Sequence, residues 1–210
     1  MPNDGFETLV PDAVAFLDTL KANNNRDWFQ ANKTDYETTV KHPAKAFGAT
    51  VAAALLELTG EEHTAKLFRV NRDVRFSKDK TPYNTHLHLL WSAGSGPGWF
   101  FGVSSDYVTA GCGVMAFDKN QLARWRAKVD KDGDAIAAIC ADLVSARFRI
   151  DKPELKRVPP PFDKDHPHGT LLRHKGLAAW KDVAGKGSPL PRLTSAFKEL
   201  MQIHDLTRSL

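Results

Sequence analysis

Cysteine is nearly absent from this chain: Cys112 and Cys140 are the two in 210 residues. They form no CxxC pair and have no Cys/His knuckle, which excludes a disulfide framework and a structural zinc site. Both thiols are expected to be small buried groups. No apolar run reaches the roughly 18 residues that a bilayer-crossing helix needs, and the opening MPNDGFETLV has neither the basic nor the apolar region of a signal peptide. A cytoplasmic protein that engages no membrane is therefore expected. Also missing are GxSxG, GxxxxGK[ST], HExxH and a strand leading directly into GxGxxG, so the sequence asks for no cofactor and no metal ion. GSGPG at residues 94–98 has the composition of a phosphate loop, but it lies between two expected antiparallel strands and reads as a hairpin turn.

What is present suffices for an ordinary core. With 42% apolar residues and no internal repeat, the chain is expected to form a single domain over residues 1–210. Basic residues number 29 against 25 acidic, a net charge of +4. That excess is local: Lys66, Arg69, Arg72, Arg75, Lys78 and Lys80 face only Asp73 and Asp79 within residues 66–80, which concentrates positive potential on one segment.

Periodicity assigns the elements. VPDAVAFLDTLKANNN places Val14, Leu17 and Leu20 at helical spacing and ends in three asparagines suited to a helix exit. A second helical pattern runs from Arg26 to about Leu58, with Pro43 expected to kink or divide it. Between residues 65 and 115 the period changes to short aromatic and β-branched runs separated by turn residues, the pattern of an antiparallel meander. Asp118 and Gln121 resemble a capping box, with Leu122, Trp125 and Val129 behind it, and a further helix is expected through Ile136, Ile139, Cys140 and Leu143. After the prolines at 159–161 come a turn through Asp163 to Pro167, a short helix and a strand near 176–182. LPRLTSAFKELMQIHDL then closes the chain as an amphipathic helix with Leu193, Phe197, Leu200 and His204 on one stripe. The predicted fold is α+β: an antiparallel sheet of four to six strands, its core meander about residues 65–115, packed by N-terminal, middle and C-terminal helices.

Within LFRVNRDVRF, strand alternation places Phe68, Val70, Arg72, Val74 and Phe76 in one row. Arg72 interrupts the apolar side, and a guanidinium that cannot lose its proton needs a partner there. Three solutions stand open: a bulge near Asn71 that turns it outward, a carboxylate from a helix, or a ligand anion in a pocket. Arg69 and Arg75 on the opposite row, with Lys78 and Lys80 in the turn, suit phosphate or carboxylate. His86 and His88 share a face of the next strand, as polar strand surface or as acid/base or phosphate contacts. Trp28, Asn32 and Tyr36 fall at i, i+4 and i+8, either packing a helix or lining a pocket wall. FDKDHPHG holds Asp163, Asp165, His166 and His168, which suit Asx-turns and a helix cap as well as acid/base chemistry, and Arg173 with Lys175 extends the cations.

Three blocks, NNNRDWFQANKTDYE, LFRVNRDVRFSKDKTPYNTH and PPPFDKDHPHGTLLRHKGLAA, together resemble domain-of-unknown-function family 2461, found in bacteria and fungi. RDVRFSKDKTPY is the most telling of them, and the resemblance covers nearly the whole chain. It implies a single full-length domain and brings no activity, substrate or cofactor with it.

The leading functional expectation is a small anionic ligand bearing phosphate or carboxylate, held by Arg69, Arg72, Arg75, Lys78 and Lys80. Tyr83, His86, Trp28, Asn32 and Arg173 extend this candidate set. An enzyme using His86 or His166 as general acid/base is a second class. A nucleic-acid module stacking bases on Phe76, Tyr83, Trp91 and Trp99 is a third, against which the nearly balanced total charge argues.

Overall fold

The computed structural model describes residues 4–94 and 96–210. Two sequence readings touch positions outside the described residues: the first three residues of the opening segment, and Ser95 in the turn at 94–98. The fold is α+β. Strands β1 (Thr64–Leu67), β2 (Leu87–Ser92), β3 (Gly98–Val103), β4 (Val108–Val114), β5 (Arg149–Ile150) and β6 (Leu177–Asp182) form one antiparallel sheet in the order β1-β2-β3-β4-β6-β5. The expected meander is β1 to β4 and the expected late strand is β6. The two-residue β5, which no sequence signal announced, pairs Arg149 with Trp180 and Ile150 with Ala179. Two compact units interleave along the chain. The first runs to Ala93 and takes in Phe100–Ala110 and Asp182–Ser195, and the second comprises Gly94–Trp99, Gly111–Lys181 and Ala196–Leu210.

In the first unit, helix α1 (Leu9–Ala22) buries Leu9, Ala13, Phe16, Leu17 and Leu20, a single stripe at helical spacing. Asn25 then caps α2 (Arg26–Ala31) by accepting the Trp28 N–H. The helical pattern expected to break at Pro43 breaks first at Asn32, after which come α3 (Lys33–Asp35), a π-helical turn (Tyr36–Lys41) and α4 (His42–Thr59). Pro43 has no N–H for the Thr39 carbonyl and its ring crowds that oxygen; the widened turn just ahead of it accommodates both. Gly48 of α4 faces the sheet at ordinary packing distance. A Cβ there would sit 3.4 Å from both Ala65 and Leu89, and its carbonyl accepts the Trp91 indole N–H at 2.7 Å.

The strand expected to continue through Phe76 ends at Leu67, which corrects the sequence reading. Phe68 N–H still donates to the His88 carbonyl at 3.0 Å, and the chain then leaves the sheet, returning only in the isolated bridge between Asn71 and Tyr83. Strand alternation specifies a register only where one face is buried. Here Phe76 is 96% exposed and Phe68 41%, and Val70 alone of the apparent apolar row is buried, so the row has no continuous core to face.

In the second unit, α5 (Lys119–Ser145) begins with the expected Asp118–Gln121 capping box. The two helices expected in this region are both present, joined end to end across a kink at Asp132 (φ −122°, ψ 27°). At the adjacent Gly133 a Cβ would fall 2.1 Å from the His168 ring, so the missing side chain admits that imidazole against the helix. The short helix α6 (Gly169–Leu172) follows the proline-rich turn. The closing helix, whose residues up to Ser195 belong to the first unit, is divided into α7 (Leu190–Glu199) and α8 (Met201–Arg208), and Leu193, Phe197, Leu200 and His204 of its stripe are each buried. Cys112 is buried and Cys140 half-buried, and burial pushes both thiols up. No helix among the described residues is long and apolar enough to cross a membrane.

Candidate functional site

Residues 68–86 connect β1 to β2 with no strand or helix of their own. Connections of this length are uncommon in compact domains and usually serve a function. The base of this loop is tied twice. Arg72 N–H donates to the Pro82 carbonyl at 2.8 Å and Asn84 N–H to that of Val70 at 2.6 Å, on either side of the Asn71–Tyr83 bridge. Tyr83's own backbone groups go to the Asn24 side chain: the Asn24 amide donates to the Tyr83 carbonyl at 2.9 Å, and the Tyr83 N–H donates to Asn24 Oδ1 at 3.1 Å. The Tyr83 ring, 4% exposed, stacks on Phe29 with centroids 4.2 Å apart. The asparagine-rich segment and the basic segment, far apart in sequence, therefore meet.

Arg72 has an internal partner. Its Nη1 donates to Asp79 Oδ2 at 2.5 Å and to the Thr81 hydroxyl, with the side chain 26% exposed. The partner is neither a helix carboxylate nor a ligand but an aspartate in the same loop, and the setting is wet on one side. The Asp79 carboxyl is pulled down to about 2, first by the Thr81 backbone N–H and then by Arg72. Arg75 grips Asp73 in the same way, Nη2 to Oδ2 at 2.6 Å and Nε to Oδ1 at 3.0 Å, which lowers the Asp73 carboxyl and raises the guanidinium. Lys80 donates to the Val74 carbonyl at 3.0 Å, and Lys66 lies 5.0 Å above the centre of the Phe68 ring. With both loop aspartates engaged, Arg69, Lys78 and Lys80 stay exposed and without an ion-pair partner among the described residues.

His86 and His88 stack at the loop's exit, ring centres 3.9 Å apart, and His88 Nε2 lies 2.7 Å from the Tyr107 hydroxyl. Burial is the main reason both imidazoles favour the neutral form. The Arg72 charge lowers His86 further, and His88 falls to about 4 with His86 adding to the effect. Gly102 makes room for this group, since a Cβ there would meet both the His88 and the Tyr107 rings at 3.1 Å.

His166 and Arg173 belong to the second unit. The His166 Nδ1 accepts the His168 N–H at 3.0 Å, which leaves the proton on Nε2 to donate to Asp130 at 3.2 Å. Both ring nitrogens are therefore engaged in holding the turn. Arg173 donates to the Gly169 carbonyl and the Thr170 hydroxyl of α6.

Trp28 and Asn32 lie elsewhere in the first unit, on a cleft of about 310 Å³ that is also lined by Asp12, Ala15, Phe16, Thr19, Asp35 and Thr39. Tyr36, the third member of that helical stripe, turns inward and is buried against Phe16 and Phe29. The sequence reading missed the two aspartates and the threonines. Their signal is spacing: Asp12, Phe16 and Thr19 lie at i, i+4 and i+7, and Asn32, Asp35 and Thr39 at i, i+3 and i+7, polar positions recurring on a helix face beside an aromatic. What no spacing shows is that the two stripes face one another.

The two asparagine- and arginine-rich blocks that carried the family resemblance are thus those that build the loop base and the cleft, and PPPFDKDHPHGTLLRHKGLAA builds the turn around His166. No curated protein matches the chain. The model of a family described as conserved hypothetical protein (DUF2461) matches residues 12–205, a span that takes in all three blocks, and the chain belongs to that family.

Proposed function

We propose that the chain binds a phosphate- or carboxylate-bearing ligand on the loop 68–86, with Arg69, Lys78 and Lys80 as the contacting cations and His86 beside them. One observation carries this reading: each loop aspartate is already gripped by an arginine, Asp79 by Arg72 and Asp73 by Arg75, so Arg69, Lys78 and Lys80 are left exposed with no ion-pair partner among the described residues. Arg72 and Arg75 shape the loop, and the outer cations meet the ligand. Arginine and lysine together supply directed and point-charge contacts to oxyanions.

The neutral state of His86 favours a catalytic version of the same reading, in which its imidazole accepts a proton from the bound ligand. Base stacking receives less support, because Tyr83, Trp91 and Trp99 are buried and Phe76 alone of the four aromatics is open.

The test is titration of wild type and of an Arg69→Ala/Lys78→Ala/Lys80→Ala variant with pyrophosphate, citrate and oligothymidylate at two salt concentrations. Three exposed charge contacts at about 0.5 kcal/mol each amount to roughly a tenfold loss of affinity. Saturable binding of pyrophosphate or citrate that the triple variant loses supports the reading. A steep salt slope confined to the oligonucleotide moves it to nucleic acid, and equal behaviour of wild type and variant overturns it. A His86→Asn variant separates binding, which it keeps, from turnover, which it would lose.

A further inference from the structure

The cleft between the two helical stripes has a chemical character opposite to that of the loop. Wall donors are already bonded to helix carbonyls: the single hydroxyl hydrogens of Thr19 to Ala15 at 3.0 Å and of Thr39 to Asp35 at 2.8 Å, and one of the two Asn32 amide hydrogens to Trp28 at 2.8 Å. The two threonine hydroxyls therefore have only lone pairs left to offer, and Asn32 keeps its carbonyl oxygen and a second amide hydrogen. Asp12 and Asp35 add carboxylates that have no ion-pair partner among the described residues, and no lysine or arginine lines the space. Phe16 and Trp28 complete the wall with rings 5.7 Å apart, and Trp28 is half-buried.

A concave wall of acceptors and carboxylates beside an indole and a phenyl ring calls for an occupant with many donors, positive charge and an apolar body. We infer that this cleft binds an organic cation, an alkylammonium or guanidinium group, seated against Trp28 and Phe16 and neutralised by Asp12 and Asp35. Cations are drawn to the face of an indole by its quadrupole, and the two carboxylates supply charge. A metal ion fits less well: Asp12 and Asp35 form no group with a third ligand close enough to share an ion among the described residues, and aromatic walls offer a hydrated ion nothing. The adjacent π-helical turn, Tyr36–Lys41, is a feature that occurs frequently at functional sites.

Agmatine, N-acetylarginine amide and the neutral control n-butanol are titrated into the full chain, following tryptophan fluorescence and calorimetric heat. Saturable binding of agmatine with none for n-butanol is the expected result. Binding of N-acetylarginine amide as well assigns the cleft to an arginine side chain of a partner, and its failure assigns the cleft to a free amine; either outcome fits the proposal. Asp12→Asn/Asp35→Asn should weaken agmatine about tenfold or more. The single Asp35→Asn, at an exposed position, serves as the fold-safe variant and should weaken it severalfold. The Arg69→Ala/Lys78→Ala/Lys80→Ala chain should bind agmatine as wild type does, which keeps this result separate from that of the anion-binding loop. Absence of saturable agmatine binding into the millimolar range, or equal affinity after neutralising both aspartates, overturns the inference.

Discussion

Asn24 is the residue whose removal reports most directly on how the basic loop is held. Its side chain occupies the place of a third strand, exchanging two hydrogen bonds of 2.9 and 3.1 Å with the Tyr83 backbone in a part-buried setting. A net contribution of about 1 kcal/mol per bond puts the cost of Asn24→Ala at about 2 kcal/mol, and more if water cannot reach the released Tyr83 groups. In a chain of this length that is a fall in Tm of roughly 4–8 °C. Asn24→Asp keeps the acceptor for the Tyr83 N–H and loses the donor, so about half of the loss is expected. Urea unfolding gives the free energies and hydrogen exchange gives the place: the Tyr83 amide should lose protection in Asn24→Ala and largely keep it in Asn24→Asp. If Asn24→Ala stays within about 0.5 kcal/mol of wild type with the Tyr83 amide still protected, the loop base is held by the Phe29 stack and the Asn71 bridge, and the reasoning about Asn24 fails.

Two further outcomes depend on pH. Asp79 has a folded pKa of about 2, below its ordinary 3.8, so its contribution to loop order is complete above 3.8 and disappears as pH falls through about 2; slowed exchange at the Thr81 amide should persist at pH 4, fade toward pH 2, and be lost at every pH in Asp79→Ala. His88, lowered from 6.5 to about 4, binds fewer protons folded than unfolded between those values, so stability should hold above pH 6.5 and decline as pH falls toward 4; in His88→Phe that decline should be shallower, and an unchanged slope refutes the assignment.

How much of this was legible in the sequence follows the range of the forces involved. The Asp118–Gln121 capping box and β6 are set by residues within a few positions of one another, and each stands where the pattern placed it. The failure at residues 68–76 has a physical cause. Alternation in FRVNRDVRF looks like a strand face only if both phenylalanines are buried, and whether they are depends on what the fold places opposite. The division expected between Val129 and Ile136 falls at Asp132, and the neighbouring Gly133 serves a contact that no local pattern announces, the packing of His168. The union of Asn24 with Tyr83 spans 59 residues, and the facing of Asp12 and Asp35 across the cleft is tertiary, so neither leaves a trace in local pattern.

The arginine in the apolar row shows what such reasoning can and cannot supply. That a guanidinium at position 72 needs a negative companion follows from its chemistry, but the companion is Asp79, which belongs to the same turn whose lysines had made the segment look poised for a ligand. With that pair formed, the cation most conspicuous in the sequence is a strut within the loop, and the exposed cations without an ion-pair partner among the described residues are Arg69, Lys78 and Lys80. The same segment of helix also links the loop to the cleft. In α2, Phe29 stacks on Tyr83 at the loop base while its neighbour Trp28 lines the cleft. The loop base and the cleft are thus built on adjacent residues of one short helix, and the Asn24→Ala chain, titrated with agmatine, tests whether loosening the first changes the second.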